Sequence, residues 1–311
     1  MEDEKGSAVK KERVLVIGGS GFIGQHIADE LSDRGMMVSI FDPSESKWRS
    51  ENQTYIRGDV LDRKALEKAM EDTEVVYHLG GVADLDAAHA DPRETIEVNV
   101  MGLTNVLEAA RLASISRFVY ASTMYVYSPF GSFYRASKQA AETIIEAYHE
   151  AFGLEYTLLR YGSLYGPRSQ SWNGLRKYVS QVMSEGRISY HGSGEEKREY
   201  IHVKDAARLS IDILDGAHRN QAITVTGSQM MTSREMFELI FEISGKPLNV
   251  DYNVDSRESY HYRITPYRFV PTSAKKLTPL EYVDLGQGVL DLFEELNVEH
   301  EAIDHQENGD K

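Results

Sequence analysis

The chain has no cysteine among its 311 residues, which excludes disulfides, thiolate metal sites and a cysteine nucleophile. It is also short of positive charge. Against 49 Asp and Glu stand 34 Lys and Arg, a formal net charge of −15, so neither a nucleic acid nor an anionic membrane is an expected partner. A negative surface does not bar an anionic small molecule, because local arginines and helix N-termini set the field inside a cleft. No apolar run approaches the length of a membrane span, and the opening MEDEKGSAVKKER lacks the apolar core of a signal peptide. A cytoplasmic protein is the expectation. The histidines are scattered without zinc-like spacing, and no metal site is expected. Repeats and low-complexity tracts are missing as well. What the chain does have is 41% hydrophobic residues, enough to bury the core of one large α/β unit with a secondary lobe.

The stretch Arg13-Val-Leu-Val-Ile17 is apolar and β-branched and reads as a short buried strand. It runs straight into Gly18-Gly19-Ser20-Gly21-Phe22-Ile23-Gly24. Ile23, Ile27 and Leu31 then recur at helical spacing, and Gly35 is placed to end that helix. Strand, glycine turn and helix in that order form the context of a dinucleotide fingerprint, here spaced G-x-x-G-x-x-G instead of the commoner G-x-G-x-x-G. Glycines admit the backbone to a pyrophosphate, and the helix N-terminus offers unpaired N–H groups to its charge. The alternative is a plain turn rich in glycine. The next strand, Met37-Val-Ser-Ile-Phe41, ends at Asp42. A carboxylate about 20 residues past the loop accepts hydrogen bonds from a ribose 2′-hydroxyl and repels a 2′-phosphate, which favours NAD. Lys47 and Arg49 follow closely and leave NADP open.

Strand and helix then alternate. Thr54 to Arg57 leads to Gly58-Asp59-Val60 and a helix around Arg63 to Met70; Glu74 to Leu79 leads to Gly80-Gly81. Asp91-Pro92-Arg93-Glu94 has the cap, first-turn proline and glutamate of a helix start, with the helix running to about Ala113. Arg117 to Ala121 is another strand, followed by the helix of Tyr134 and the strand Tyr156 to Arg160. This alternation predicts a doubly wound parallel α/β sheet covered by helices. Ligands of such sheets bind beyond the carboxyl ends of the strands, where Gly18, Asp42, Asp59, Gly80 and Ser122 all fall. Past residue 165 the order changes. Asn173 to Glu185 reads as a helix and Arg187 to Tyr190 as a short strand; the strand Ile223 to Thr226, a helix capped by Ser233 and the strand Leu248 to Tyr252 are assigned to a smaller lobe. A helix from Asp205, read as its cap, to Leu214 returns to the first domain. The expected division is therefore 1–165 and 166–311, interleaved because 187–217 partly returns, with solvated or disordered tails at about 1–12 and 299–311. Tyr120, Tyr148 and Phe152 read as core aromatics.

The chemistry lies in FYRASKQAAETIIEAYHEAF, where Lys138 follows Tyr134 by one helical turn and shares its face. A free phenol titrates near ~10, too high for a base at neutral pH. A neighbouring ammonium and a positive nicotinamide ring both favour the phenolate, which can then take a hydroxyl proton while hydride leaves for the cofactor. Ser122 and Thr123, at the preceding strand end, are placed to hydrogen-bond the same oxygen. By itself Tyr-x-x-x-Lys is common on helices; its weight comes from the glycine loop and the strand end before it.

With GGSGFIG, Gly58-Asp59-Val60, His78-Leu79-Gly80-Gly81, Asn99, Ala121-Ser122-Thr123, Tyr134-Arg-Ala-Ser-Lys138, Arg160-Tyr-Gly-Ser-Leu-Tyr-Gly-Pro167 and Arg198-Glu-Tyr-Ile-His202 in order, residues 13 to about 280 resemble the extended short-chain dehydrogenase/reductases. Within them the chain is similar to the NAD-dependent sugar-nucleotide epimerases and dehydratases of the UDP-glucose 4-epimerase type. The resemblance implies a Rossmann fold and NAD held by Gly18, Gly21, Phe22, Ile23 and Gly24. It implies further cofactor contacts from Asp42, Asp59, Val60, Leu79, Gly80, Asn99, Ser122 and Tyr161. Tyr134 is then the catalytic base, Lys138 orients the nicotinamide ribose, and Thr123 holds the sugar 4-hydroxyl. The implied substrate is a nucleoside diphosphate sugar, a UDP-sugar first among them, with Arg198 on the diphosphate. A guanidinium suits that task because its fork matches phosphate oxygens. Arg263 or Arg268 is a second candidate for that contact, against an ordinary surface role. Relatives pair into homodimers through two helices matching about 92–113 and 134–152, and a homodimer is expected by that analogy.

Three departures bear on the reaction. Family dehydratases carry an acid/base pair just after the threonine, where this chain has Met124-Tyr125. Met124 cannot move protons, and Tyr125 is either an acid/base or a packing residue. The loop from Thr123 to Tyr134 is shorter than is usual in the family. A common asparagine is Ser163 here, which weakens one expected phosphate contact. Together these favour 4-epimerisation through a 4-keto sugar over dehydration, decarboxylation or net oxidation. The reading of another class is a noncatalytic NAD(H)-binding protein.

Overall fold

The computed structural model describes residues 12–228 and 230–253. Arg263, Arg268, residues 1–11 of the first expected tail and the expected tail 299–311 lie outside the described residues. The chain runs β1 (Arg13–Ile17), α1 (Phe22–Asp33), β2 (Met37–Asp42), β3 (Thr54–Arg57), α2 (Arg63–Ala69), β4 (Val75–His78), α3 (Leu85–Ala90), α4 (Pro92–Ile96). A π-helical segment (Glu97–Gly102) then leads into α5 (Leu103–Leu112), β5 (Arg117–Thr123), a 3₁₀ turn (Met124–Tyr127), α6 (Ser132–Phe152) and β6 (Tyr156–Tyr161). The second half holds β7 (Ser163–Tyr165), α7 (Gly174–Glu185), β8 (Ile188–Tyr190), β9 (Lys197–His202) and α8 (Val203–Asp212). It continues with β10 (Gln221–Val225), β11 (Met230–Thr232), α9 (Ser233–Ser244) and β12 (Val250–Tyr252).

Seven strands form one sheet in the order β10-β6-β5-β4-β1-β2-β3, every pair parallel, as the alternation of strand and helix predicts. Strand alternation splits the core between the two faces. Leu15 and Ile17 of β1 pack with Phe118 and Tyr120 of β5 under α2, α5 and α6. Val14 and Val16 pack with Val119 under Ile27 and Leu31 of α1 and Ala206 and Ile211 of α8. A smaller core joins Val182 of α7, Tyr190 of β8 and Phe237 and Phe241 of α9. It is accompanied by the three-stranded sheet β11-β9-β7 and the pair β12-β8.

Four expectations are corrected. Thr232, not Ser233, caps α9, its hydroxyl accepting from Glu235 N at 3.1 Å. Ile223 to Val225 belongs to β10, the outer strand of the main sheet, and not to the smaller lobe. Asn220 seats it: at φ 55° its amide donates to Tyr156 O at 2.7 Å, and its side-chain oxygen accepts from Tyr156 N at 3.0 Å. A strand's sheet is set by such long-range pairing, which the strand's own residues do not display. The ring of His202, not Asp205, caps α8, accepting from Lys204 N at 3.3 Å, while Asp205 pairs with Arg208 within the first turn. Tyr120 is core, but Tyr148 is half-buried with its hydroxyl on Glu108 at 2.7 Å, and Phe152 is exposed. No helix among the described residues is long and apolar enough to cross a membrane.

Candidate active site

The glycine loop closes on itself before α1. Gly18 takes φ +77°, and a β-carbon there would lie 2.8 Å from the carbonyl carbon of Leu79. A β-carbon on Gly24 would run into the carbonyl oxygen of Gly18. Both positions therefore demand glycine, the first for conformation as well as space. α1 starts at Gly21, which brings no side-chain cap, and its first turn has no acidic residue. Its leading N–H groups thus stay available to an anion. Ser20 adds a buried hydroxyl with no hydrogen-bond partner among the described residues. Asp42 stands beside the loop, its two oxygens accepting from Ser20 N at 3.2 Å and Ser44 N at 3.0 Å. Burial pushes its carboxyl above the usual range, against the lowering effect of those two donors. An orphaned hydroxyl, unpaired helix amides and a glycine cradle fit a dinucleotide diphosphate.

The residues expected along the other strand ends divide. Asp59 is exposed and turns the chain by accepting from Leu61 N at 2.9 Å, while Val60 is buried and its carbonyl accepts from Asn105 at 3.1 Å. Leu79 is partly buried against the sheet core. Asn99 sits in the π-helical segment, a feature common at functional sites. Its oxygen accepts from Val82 N at 2.7 Å, and its amide donates to Val82 O and to Ser137 Oγ, both at 3.0 Å. Ser137 in turn donates to Tyr134 O at 2.8 Å, so Asn99 ties the loop after β4 to α6. Tyr161 is buried on the α8 side, with its hydroxyl 2.7 Å from Ser210 Oγ.

Tyr134, Lys138, Thr123 and Tyr125 gather at the carboxyl end of β5. Lys138 is buried; its Nζ donates to Ala121 O at 2.8 Å and lies 4.6 Å from the ring centre of Tyr120 and 5.9 Å from that of Tyr134. Burial pulls its ammonium down to about 8, while the Glu142 carboxylate acts in the opposite direction. His78, buried at the end of β4, is pushed down to about 3 by burial and then by Lys138, so it is neutral at physiological pH. Thr123 is buried and its Oγ1 accepts from Tyr125 N at 3.3 Å, which leaves the hydroxyl proton free to be donated. Met124 is fully buried, and Tyr125 meets Tyr134 edge to face with ring centres 6.0 Å apart. Gly131, at φ +105°, gives Tyr125 room, since a β-carbon there would sit 2.7 Å from its ring.

Ser122 faces the other way from Thr123, as neighbours on a strand do, and its hydroxyl bonds Glu142 of α6. In this structure it serves that carboxylate and not the substrate oxygen expected of it. Glu142 also takes two bonds from Arg160 of β6, whose remaining nitrogen bonds the hydroxyl of Tyr127. Glu142 and Tyr127 do not figure among the candidates read from the sequence, and Arg160 does so only as a motif letter. Glu142 is one helical turn past Lys138, so the helix period held the signal. Ser163 and Arg198 lie on the three-stranded sheet, where Ser163 pairs with Tyr200 and Arg198 with Met231. The charge of Arg198 acts on Tyr178 and Tyr190 of the smaller core.

Known proteins carry the same plan. A solved structure of UDP-N-acetylglucosamine 4-epimerase from Methanobrevibacter ruminantium, in complex with UDP-N-acetylmuramic acid, superposes with a TM-score of 0.75 at 28% identity, covering 83% of this chain and 89% of that one. The crystal structure of Thermus thermophilus UDP-glucose 4-epimerase in complex with NAD gives 0.70 at 29% identity, covering 77% and 85%. UDP-glucuronic acid decarboxylase 1 of Arabidopsis thaliana is 26% identical over 278 residues, which span 82% of this chain and 63% of the decarboxylase. The sequence profile described as the NAD dependent epimerase/dehydratase family matches residues 14–225, from β1 to the end of β10. With its parallel sheet, glycine loop and Tyr134–Lys138 helix, this chain belongs to that family.

Proposed function

We propose that the protein is an NAD-dependent nucleoside-diphosphate-sugar 4-epimerase working through a 4-keto sugar, with a UDP-sugar as substrate. One observation carries the reading. Tyr134 precedes Lys138 by one turn at the end of β5, beside Thr123, and the turn Met124–Tyr127 brings no carboxylate to them. Elimination or decarboxylation asks for a further proton carrier; epimerisation at C4 asks for a single acid/base used twice.

The loop Gly18 to Gly24, Ser20 and the N–H groups of α1 hold the cofactor diphosphate, and Asp42 accepts from the adenosine ribose. NAD supplies a hydride acceptor and donor. Lys138 favours the Tyr134 phenolate by its charge. Thr123 donates its hydroxyl proton to the sugar 4-oxygen, fixing it within reach of Tyr134. Tyr134 removes the 4-hydroxyl proton and gives it back once the sugar presents its other face. Arg198 pairs with the substrate diphosphate. The second reading keeps the same start and recruits Tyr125 for dehydration or decarboxylation; its phenol packed against Tyr134 is the observation in its favour.

Mass spectrometry of nucleotides released by denaturing the purified protein, followed by a panel of UDP-, dTDP-, GDP- and CDP-sugars, tests the reading. The expected result is bound NAD and a 4-epimeric product from a UDP-sugar. A 4-keto-6-deoxy or decarboxylated product would select the second reading. Bound NAD without conversion of any sugar would leave a noncatalytic NAD-binding protein. A narrower expectation concerns Asp42→Ala. Loss of a charge-assisted bond of about 1.5–3 kcal/mol lowers NAD affinity by roughly ten-fold or more, and removing the carboxylate raises NADP affinity relative to NAD. Calorimetric titration of both nucleotides measures the two changes.

A homodimer completes the proposal. Leu112 of α5 and Phe152 of α6 are 58% and 56% exposed, which suits a helix face that a second copy covers. Light scattering at working concentration should give twice the chain mass.

A further inference from the structure

Behind Tyr134 and Lys138 lies a buried polar chain that the proposed reaction does not use. β5 and β6 are paired so that Ser122 stands beside Arg160. Both side chains face α6, and Glu142 reaches down from α6 to join them. Its Oε1 accepts from Ser122 Oγ and from Arg160 Nε at 2.9 Å, and its Oε2 accepts from Arg160 Nη2 at 2.5 Å. Arg160 Nη1 ends the chain on the Tyr127 hydroxyl, with the guanidinium 4.7 Å from that ring's centre. Ser122 follows Ala121, whose carbonyl accepts from Lys138. One carboxylate thus clamps α6 to the same stretch of β5 that receives Lys138.

We propose that Glu142 is the positioning residue of the Tyr134–Lys138 pair: oriented by Ser122 and Arg160, it supplies the counter-charge to the buried Lys138 ammonium and fixes the face α6 presents to the end of β5. This rests on the reading of Tyr134 and Lys138 as the catalytic pair. The charges decide the point. The groups around Lys138 are Tyr134 and Glu142 on its own helix, Tyr120 on β5 and neutral His78 on β4, with Arg160 of β6 behind Glu142. Glu142 is the sole anion of this set. With it, the cluster carries one net positive charge before Tyr134 ionises and none afterwards. Without it, Lys138 and Arg160 would be two cations with no anion of the set to offset them, and Lys138 can give up its proton where an arginine cannot.

The test follows Lys138 directly, through the ¹³Cε signal of lysine-labelled apoprotein assigned with Lys138→Met. In the intact protein this signal should titrate near 8. Glu142→Gln should lower its midpoint by about one pH unit or more, and Glu142→Asp should restore most of it. Where a sugar-nucleotide assay exists, the basic limb of the rate profile should move to lower pH in Glu142→Gln, because activity is lost as Lys138 deprotonates. A packing role alone would lower the rate equally at every pH. If Glu142→Gln does not fold, the double variant Glu142→Gln, Arg160→Met removes both buried charges, and its Lys138 midpoint should still fall. An unchanged midpoint in the folded variant overturns the proposal. The titration needs no substrate, so it stands even if no sugar nucleotide is turned over.

Discussion

Tyr134→Phe is expected to bind NAD as the parent does and to lose turnover by about 10²–10⁴-fold, the range of a missing general acid/base. The variant deletes one oxygen. Its ring keeps the edge-to-face contact with Tyr125, and Lys138 keeps its bond to Ala121 O, so neither the helix nor the cofactor cradle has cause to move. The loss should therefore fall on kcat, with little change in the affinity for sugar nucleotide. Steady-state rates on the substrate identified by the panel, beside a calorimetric NAD titration, separate the two. Full turnover in Tyr134→Phe would remove the phenol from the chemistry and leave Thr123 or Tyr125 to be examined as the proton carrier. Loss of NAD along with turnover would instead point to a disturbed site.

The sheet and its cofactor end were legible because local patterns fix them. A β-branched run into GGSGFIG, followed by apolar residues at helical spacing, reads as a strand turning onto a helix, and the Asp91 cap with Pro92 marks α4 where it begins. Tyr134 and Lys138 share a face by helix period alone. What the sequence hid are relations between segments far apart. β10 joins the main sheet because Asn220 pairs with Tyr156, 64 residues away. The hydroxyl of Ser122 goes to Glu142 because strand alternation turns it from Thr123, and the carboxylate that meets it lies 20 residues on. Phe152 reads as a core aromatic, yet it is exposed in the last turn of α6, where Arg111 stacks on it at 5.0 Å. The substrate side was least legible. The proposed substrate contacts Ser163 and Arg198 stand on a second sheet whose antiparallel partner, β11, arrives from much later in the chain.

Arg160→Met is expected to destabilise the fold by about 3–5 kcal/mol, the cost of leaving a buried carboxylate without its partner. The two side chains of this pair are 18% and 9% exposed, so water offers Glu142 little compensation. Ser122 alone can satisfy one of its oxygens, and the Tyr127 hydroxyl loses its donor as well. Adding Glu142→Gln to Arg160→Met should recover most of the loss, since an amide meets Ser122 without a charge to solvate and the methionine fills the arginine's apolar path. The two substitutions would then be strongly non-additive, with a coupling of about 3 kcal/mol or more in a double-mutant cycle, the upper end of what contacting residues show. Urea unfolding of the four proteins at one pH measures it. Additive losses would mean that Glu142 and Arg160 act independently, and the clamp between α6 and the ends of β5 and β6 would not exist as an energetic unit. If the coupling is present while Lys138 titrates alike in all four, the clamp is structural and leaves Tyr134 and Lys138 to themselves. Coupling together with a displaced lysine midpoint makes stability and reactivity two readings of one buried carboxylate.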